Sequence, residues 1–314
     1  RHPKKSAAHT LGPAHRRYAL IERMAEEHPV ERLCEALGVS RSGFYAWQRH
    51  APSARVQTDL ALSERIRHLH ARSRGSYGSP RLHRDLVEEG VRCGRHRVAR
   101  LMRQGGLRGA QKRRFRPRTT DSRHSRPVHP NRLAALPAVT RPNEAWVTDL
   151  TYIPTQEGWL YLAAFMDVGS RRIAGWALRD SLHTDVVLEA FRHAVADGAA
   201  PPGLIVHSDR GIQYASEAFA KLLRAYRFTG SMSRVGNVYD NAAMESFWAT
   251  LKTELPQGGV FQSKSEARLA IFDYIEGFYN RWRRHSALGY LSPLAFEAKF
   301  NHQLSSAQVS EKAG

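Results

Sequence analysis

Three carboxylates in the second half of the chain have the type and setting to bind metal ions. Asp149 lies near the middle of a β-rich run, Trp146-Val147-Thr148-Asp149-Leu150-Thr151-Tyr152. A charge there is expensive to bury unless it is paired or binds a metal. Asp209 comes directly after the short apolar run Leu204-Ile205-Val206-His207 and Ser208, where α/β sheets place functional groups. Glu245 falls one turn into a predicted helix, in Asp240-Asn241-Ala242-Ala243-Met244-Glu245-Ser246-Phe247. Two strands and one helix can thus bring three carboxylates together. Hard oxygen ligands of this kind suit Mg2+ or Mn2+. The 35 residues between Asp209 and Glu245 are weak evidence alone, because about one residue in ten of this half is acidic.

The elements that must position these acids follow from apolar periodicity. Residues 145–153, 159–168 and 173–178 read as three strands, with turns near Glu157-Gly158 and Gly169-Ser170. A helix is predicted over 185–196, a buried strand over 203–207, a helix over 216–226 and a short strand over 228–232. Helices over 241–255 and 265–280 complete the region. Three consecutive strands followed by alternating helix and strand imply a mixed α/β sheet. Asp240 and Asn241 are expected to cap the helix bearing Glu245, and Asp167 to be a turn residue. His207 and Arg210, flanking Asp209, are candidates for DNA contact. Trp282, Arg283, Arg284 and His285 form a basic-aromatic cluster suited either to DNA or partner contact or to packing on the core.

The first half differs in charge. Residues 1–140 hold 30 Lys+Arg against 11 Asp+Glu, and residues 141–314 hold 18 of each, so the net +19 sits entirely in the first half. Such a basic half is an electrostatic footprint for nucleic acid. No run of about 18 apolar residues suggests a membrane span. The basic start Arg1-His2-Pro3-Lys4-Lys5, with no apolar run behind it, sets the expectation of no secretory leader. Cys34 and Cys93 lack CxxC spacing and read as two reduced thiols in a cytoplasmic protein.

Residues 15–50 read as short helices. One carries Val30, Leu33, Cys34 and Leu37 on one face and stops at Gly38; Ser40 caps the next, which holds Phe44, Tyr45 and Trp47. Helix, glycine turn and short helix form a helix-turn-helix pattern, usable for DNA contact or for packing. The theme recurs over 58–108: a helix to Arg72, a break at Gly75-Ser76-Tyr77-Gly78-Ser79-Pro80, a helix over 81–89, and a third over 95–104. The third helix presents Arg95, His96, Arg97, Arg100 and Arg103 opposite Val98, Leu101 and Met102, as a major-groove recognition helix requires. Residues 109–140 read as a linker. Its Lys112, Arg113, Arg114 and Arg116 are too basic to pack and suit phosphate contact. The expected domains are a helical region over 1–57, a second helical domain over 58–108, the linker over 109–140, a core with helical extension over 141–300, and a tail over 301–314.

The contexts of the acids resemble the retroviral-integrase superfamily. Within it the chain is similar to bacterial insertion-sequence transposases made from two overlapping reading frames, specifically the downstream, catalytic frame. Beyond the runs around Asp149 and Glu245, the matching segments are His207-Ser208-Asp209-Arg210-Gly211-Ile212-Gln213-Tyr214, Gly236-Asn237-Val238-Tyr239 and Tyr279-Asn280-Arg281-Trp282-Arg283-Arg284-His285-Ser286-Ala287-Leu288-Gly289-Tyr290. Upstream, Tyr77-Gly78-Ser79-Pro80-Arg81-Leu82-His83 resembles the helical domain that precedes the core. The likeness covers roughly residues 20–300.

The resemblance implies a ribonuclease H-like mixed-sheet core preceded by all-α helix-turn-helix-type domains. It implies Asp149, Asp209 and Glu245 as catalytic metal ligands for two Mg2+ ions, with Mn2+ able to substitute. It also implies a basic residue seven positions after the glutamate, here Lys252, which shares a helix face with Glu245 and can meet phosphate. The implied reaction is cleavage of insertion-element ends and joining of the 3′-OH to other DNA. The implied partners are double-stranded DNA, further copies of the chain and the upstream-frame helix-turn-helix protein. Two rivals stand beside it: a ribonuclease H-like nuclease or resolvase without strand transfer, and a silent DNA-binding regulator. Glu254, nine residues after Glu245, falls about 180° around the helix, so Glu254→Gln is expected to be nearly silent.

Overall fold

A computed structural model describes residues 14–49, 54–111, 129–136, 138–234 and 241–312. Lys112, Arg113, Arg114, Arg116 and Asp240 lie outside the described residues. The chain forms two compact units, Arg1–Arg67 and His68–Gly314.

In the first unit, helices α1 (Ala14–Met24), α2 (Val30–Ala36) and α3 (Arg41–Arg49) enclose a small core of Ile21, Leu33, Cys34 and Phe44, with Tyr18 and Trp47 packed on it. Gly38 turns the chain at φ 66°, and Ser40 Oγ accepts the Gly43 N–H at 3.1 Å, the expected stop and cap. Helix α4 (Ala54–Arg72) starts four residues before the predicted Thr58 and crosses the division between the units.

The second unit opens with a helical hairpin, α5 (Ser79–Glu88) and α6 (Arg95–Gln104). Leu82 and Leu86 of α5 are buried, as are Val98, Leu101 and Met102 of α6. The sheet follows: β1 (Ala145–Thr155), β2 (Gly158–Asp167), β3 (Ile173–Arg179), α7 (Thr184–Val195), β4 (Ile205–Ser208), α8 (Glu217–Ala225) and β5 (Thr229–Met232). The strand order is β3-β2-β1-β4-β5. β1–β3 are antiparallel, and β4 and β5 run parallel to β1. This is the ribonuclease H-like mixed sheet, preceded by helices, as expected. Helices α7 and α8 cover one face over a core that includes Trp146, Phe165, Phe191, Val206, Phe219 and Phe228. Gly175 of β3 permits the closest approach, since a Cβ there would stand 2.2 Å from the backbone N of Ala194 on α7.

Helix α9 (Ala242–Glu254) then packs against β1. The predicted helix over 265–280 is instead two windings: α10 (Lys264–Phe272) and a π-helical stretch, Asp273–Tyr279. Tyr274, Ile275, Phe278 and Tyr279 of the wider winding are all buried. The expected tail is helical through Lys312, because α11 (Pro293–Lys312) starts on a proline and continues. No helix among the described residues is long and apolar enough to cross a membrane.

Candidate active site

The parallel pairing of β1 with β4 joins Ala145 to Ile205, Trp146 to Val206 and Val147 to His207. Continued by two residues, that register sets Asp149 opposite Asp209. Neighbouring strands lie about 4.8 Å apart, so the pairing brings the chain to the neighbourhood of Asp149 where Asp209 follows the end of β4. Asp209 Oδ1 accepts the Gly211 N–H at 2.8 Å, which holds the turn after β4.

Helix α9 carries the third acid over this pair. Its Trp248, 7% exposed, donates Nε1–H to Asp149 Oδ2 at 2.9 Å. Asn241 at the head of the helix donates Nδ2–H to the Thr148 carbonyl at 3.4 Å. Both bonds pin α9 to β1 beside Asp149. The expected side-chain cap by Asn241 is not made: Nδ2 is turned to β1, and Oδ1, the atom that would cap, is buried without a hydrogen-bond partner. Glu245, in the first turn of α9, is exposed. Its carboxylate and that of Asp209 both bear on Asp149.

Burial first, then the Asp209 charge, and less strongly the Glu245 charge, push the Asp149 carboxyl up to about 7. Trp248 and the Leu150 backbone act the other way by hydrogen bonding. Among the described residues, no three Asp, Glu, His or Cys side chains stand close enough to enclose a metal ion. Asp149 on β1 and Asp209 just past β4 are half-buried, and Glu245 is at the rim. Their donor set is all hard oxygen, and the repulsion between Asp149 and Asp209 is a cost that a divalent cation removes.

Lys252 is half-buried on α9. Desolvation lowers its pKa, and the opposing Asp149 charge raises it, so the ammonium stands within the field of that carboxylate. Tyr214 was not anticipated. It is buried, its hydroxyl hydrogen-bonds Thr148 Oγ1 at 3.2 Å, and burial with the Asp149 and Asp209 charges drives its pKa well above the ordinary tyrosine value. Trp248 was also missed, although its place three residues after Glu245, on nearly the same helix face, was a usable signal.

Other candidates are engaged by other groups or lie on other elements. His207 is fully buried, its ring bonded to Ser231 Oγ at 2.8 Å and Ser233 Oγ at 3.0 Å, so it ties β4 to β5 and its neighbour instead of meeting DNA. Arg210 is half-buried and donates Nε–H to the Ser233 carbonyl at 2.8 Å. Asp167 holds its turn as expected, accepting the backbone N–H groups of Asn143 and Ser170, both at 2.6 Å. On α6, Arg95, His96 and Arg103 are exposed and Arg97 and Arg100 half-buried, with Arg100 bonded to Gln104 at 3.1 Å. Of the basic-aromatic cluster, only Trp282 is well exposed. Arg283 is 5% exposed and pairs with Glu254 at 2.8 Å, and Tyr274 donates its hydroxyl to the same carboxylate at 2.7 Å. Glu254 is thus a buried ion-pair partner, not a solvated helix acid.

Comparison with known proteins gives the family. Residues 139–238 and 226–293 match two integrase core domain families, and residues 57–115 match an HTH-like domain. The chain is 47% identical over 272 residues to the insertion element IS600 uncharacterized 31 kDa protein of Shigella sonnei, covering 87% of this chain and 99% of that one. It is 38% identical over 285 residues to transposase InsF for insertion sequence IS3A of Escherichia coli (strain K12), covering 90% and 99%. Among solved structures, the simian T-cell lymphotropic virus intasome aligns over 74% of each chain at 14% identity and a TM-score of 0.42. The sheet and the integrase core matches define an enzyme of the polynucleotidyl transferase class. The chain belongs to the IS3 family of insertion-sequence transposases.

Proposed function

We propose that this transposase cleaves the ends of its insertion element and joins the freed 3′-OH to target or donor DNA at a site formed by Asp149, Asp209 and Glu245. The observation that supports the reading is that β4, which ends just before Asp209, pairs in parallel with the strand of Asp149, and that the helix of Glu245 is bonded to Asp149 through Trp248. These residues would hold two Mg2+ ions, or Mn2+ in their place. When bound, such ions supply charge stabilisation for an in-line displacement at phosphorus and activate water or a 3′-hydroxyl. Trp248 orients the Asp149 carboxylate, and Lys252 offers a cation to DNA phosphate.

DNA is the partner of both helix-turn-helix-type and integrase domains. Within it, Arg95, His96, Arg97, Arg100 and Arg103 of α6 are assigned to the duplex, together with Lys112, Arg113, Arg114 and Arg116 of the linker and Arg210 near the acids. The expected domain division follows this labour: DNA reading before residue 140, chemistry after it. Because transposition joins two ends, two or more copies are expected to act on paired ends, with the upstream-frame helix-turn-helix protein as a further partner. The work takes place on cytoplasmic DNA.

The test is a strand-transfer assay with a duplex carrying the element's terminal repeat, a target plasmid and Mg2+. Joined products are expected. Nicked ends without joined products would reassign the protein as a nuclease or resolvase. DNA binding without nicking in Mg2+ or Mn2+ would reassign it as a regulator.

A further inference from the structure

The segment following the π-helical stretch touches three parts of the second unit at once. Asn280 serves β3 as a strand would: its Oδ1 accepts the Ile173 N–H at 2.9 Å, and its Nδ2 donates to the Ile173 carbonyl at 3.0 Å. Arg283 reaches the end of α9 through Glu254. Arg284 reaches back across the chain to α5. Its Nε donates to Asp85 Oδ1 at 2.5 Å, and its Nη1 to Glu88 Oε1 and the Tyr290 carbonyl, both at 2.8 Å. Arg284 and Asp85 are only 12% and 16% exposed at their side chains. The Tyr77 hydroxyl completes the joint, accepting the Arg284 backbone N–H at 2.7 Å and donating to the Trp282 carbonyl at 3.2 Å. A separate ion pair joins Arg74 to Asp273 at 2.9 Å.

The helical hairpin is therefore fastened to the sheet and to the helix of Glu245, not tethered near them. Helix α6 packs on α5, and α5 is held by Arg284. Phosphoryl transfer is sensitive to position, and a misplacement of about 1 Å can cost about 100-fold.

We propose that Arg284 is a positioning residue that sets the spacing between the DNA-bound face of α6 and the three carboxylates, and so selects which phosphodiester is cut. The inference rests on the function proposed above. The guanidinium of Arg284 is spent on Asp85, Glu88 and the Tyr290 carbonyl, not on the three carboxylates. It acts through Asp85 and Glu88, so its removal changes where the enzyme cuts more than how tightly it binds.

The experiment maps nicks at nucleotide resolution on a duplex carrying the terminal repeat with its flanks. It uses the full chain as wild type, Arg284→Ala, Arg284→Lys and the double variant Asp85→Asn/Glu88→Gln. Duplex affinity and melting are measured alongside. The wild type is expected to nick at one phosphodiester. Arg284→Ala and the double variant are expected to bind the duplex as the wild type does, while the ratio of correct to neighbouring nicks falls about 10- to 100-fold. Arg284→Lys is expected to restore part of that precision. Wild-type precision in both Arg284→Ala and the double variant overturns the inference. So does a parallel fall in affinity and nicking with the cut position unchanged, which marks a merely structural role. If Arg284→Ala or the double variant does not fold, Arg284→Lys and the single variant Glu88→Gln, whose side chain is 60% exposed, decide: wild-type precision in both overturns the inference. Absence of nicking by the wild type overturns the proposed function, and the inference with it.

Discussion

At the scale of single residues, two glutamates nine positions apart on α9 separate chemistry from stability. Glu245 is exposed and packs no core volume. Glu245→Gln is expected to leave melting and duplex affinity unchanged and to abolish nicking and strand transfer together, because both use one site. Glu254 is different. Burial works against the charge of Arg283, but the hydrogen bond and charge of Glu254 more than restore it, holding that guanidinium above its ordinary pKa. Glu254→Gln leaves a buried cation without its counter-charge and is expected to cost about 3–5 kcal/mol, read as a large drop in melting temperature. Nicking lost in Glu254→Gln at full stability, or retained in Glu245→Gln, would reverse the two roles. Asp149 gives a pH signature. Its carboxyl is raised from 3.8 to about 7, so its charged form opposes folding. The metal-free protein should gain stability as pH falls through this window and lose it as pH rises through about 7. Asp149→Asn should flatten that dependence in a melting series without divalent ions. An unchanged profile would remove Asp149 as its source.

At the scale of elements, the site depends on a close fit between β3 and α7 behind the sheet. The backbone N of Ala194 would lie 2.2 Å from a Cβ on Gly175, with the Ala190 carbonyl O at 2.5 Å. No flexible side chain can give way there. Gly175→Ala is expected to cost at least about 1–3 kcal/mol by overpacking, measurable by urea unfolding, and a wild-type midpoint would refute the packing. On α6 the exposed Arg95 and Arg103 leave their helix without loss of core, since Val98, Leu101 and Met102 hold it. Arg95→Ala/Arg103→Ala should keep the melting temperature and lower duplex affinity. The slope of log K against log salt should fall by about 0.9 for each phosphate that is no longer neutralised. An unchanged slope would take α6 off the DNA.

At the scale of the whole molecule, charge and chemistry are unevenly divided along the chain but not along its folding units. The excess of 19 positive charges lies before residue 141, which suggests cutting there to separate binding from catalysis. The fold forbids that cut. Residues from His68 onward, including the α5–α6 hairpin, belong to the same compact unit as the sheet. Arg284 and Tyr77 bind the hairpin to it from opposite ends of the chain. A fragment ending at 140 would expose Asp85 and Tyr77 and strip them of their partners.

What the sequence determined by itself was the local chemistry and its carriers. The mixed α/β order, the basic third helix and the elements that carry Asp149, Asp209 and Glu245 were legible, because hydrophobic period and capping residues act over short distances. The turn role of Asp167 was legible for the same reason. The tertiary structure alone decided what depends on contacts between distant segments. The parallel pairing that brings the end of β4 to the strand of Asp149 is one such outcome. The Trp248 bond to Asp149, across 99 positions, is another. His207 and Glu254 were misjudged for that reason: each is a polar residue whose partners, Ser231 and Ser233 for one and Arg283 and Tyr274 for the other, lie 20 to 29 positions away. A helical wheel gives the direction in which Glu254 points, and only packing shows that a buried arginine is waiting there. The π-helical stretch belongs to the same class: the spacing of Tyr274, Ile275, Phe278 and Tyr279 predicts one buried face, but not the wider winding that carries it.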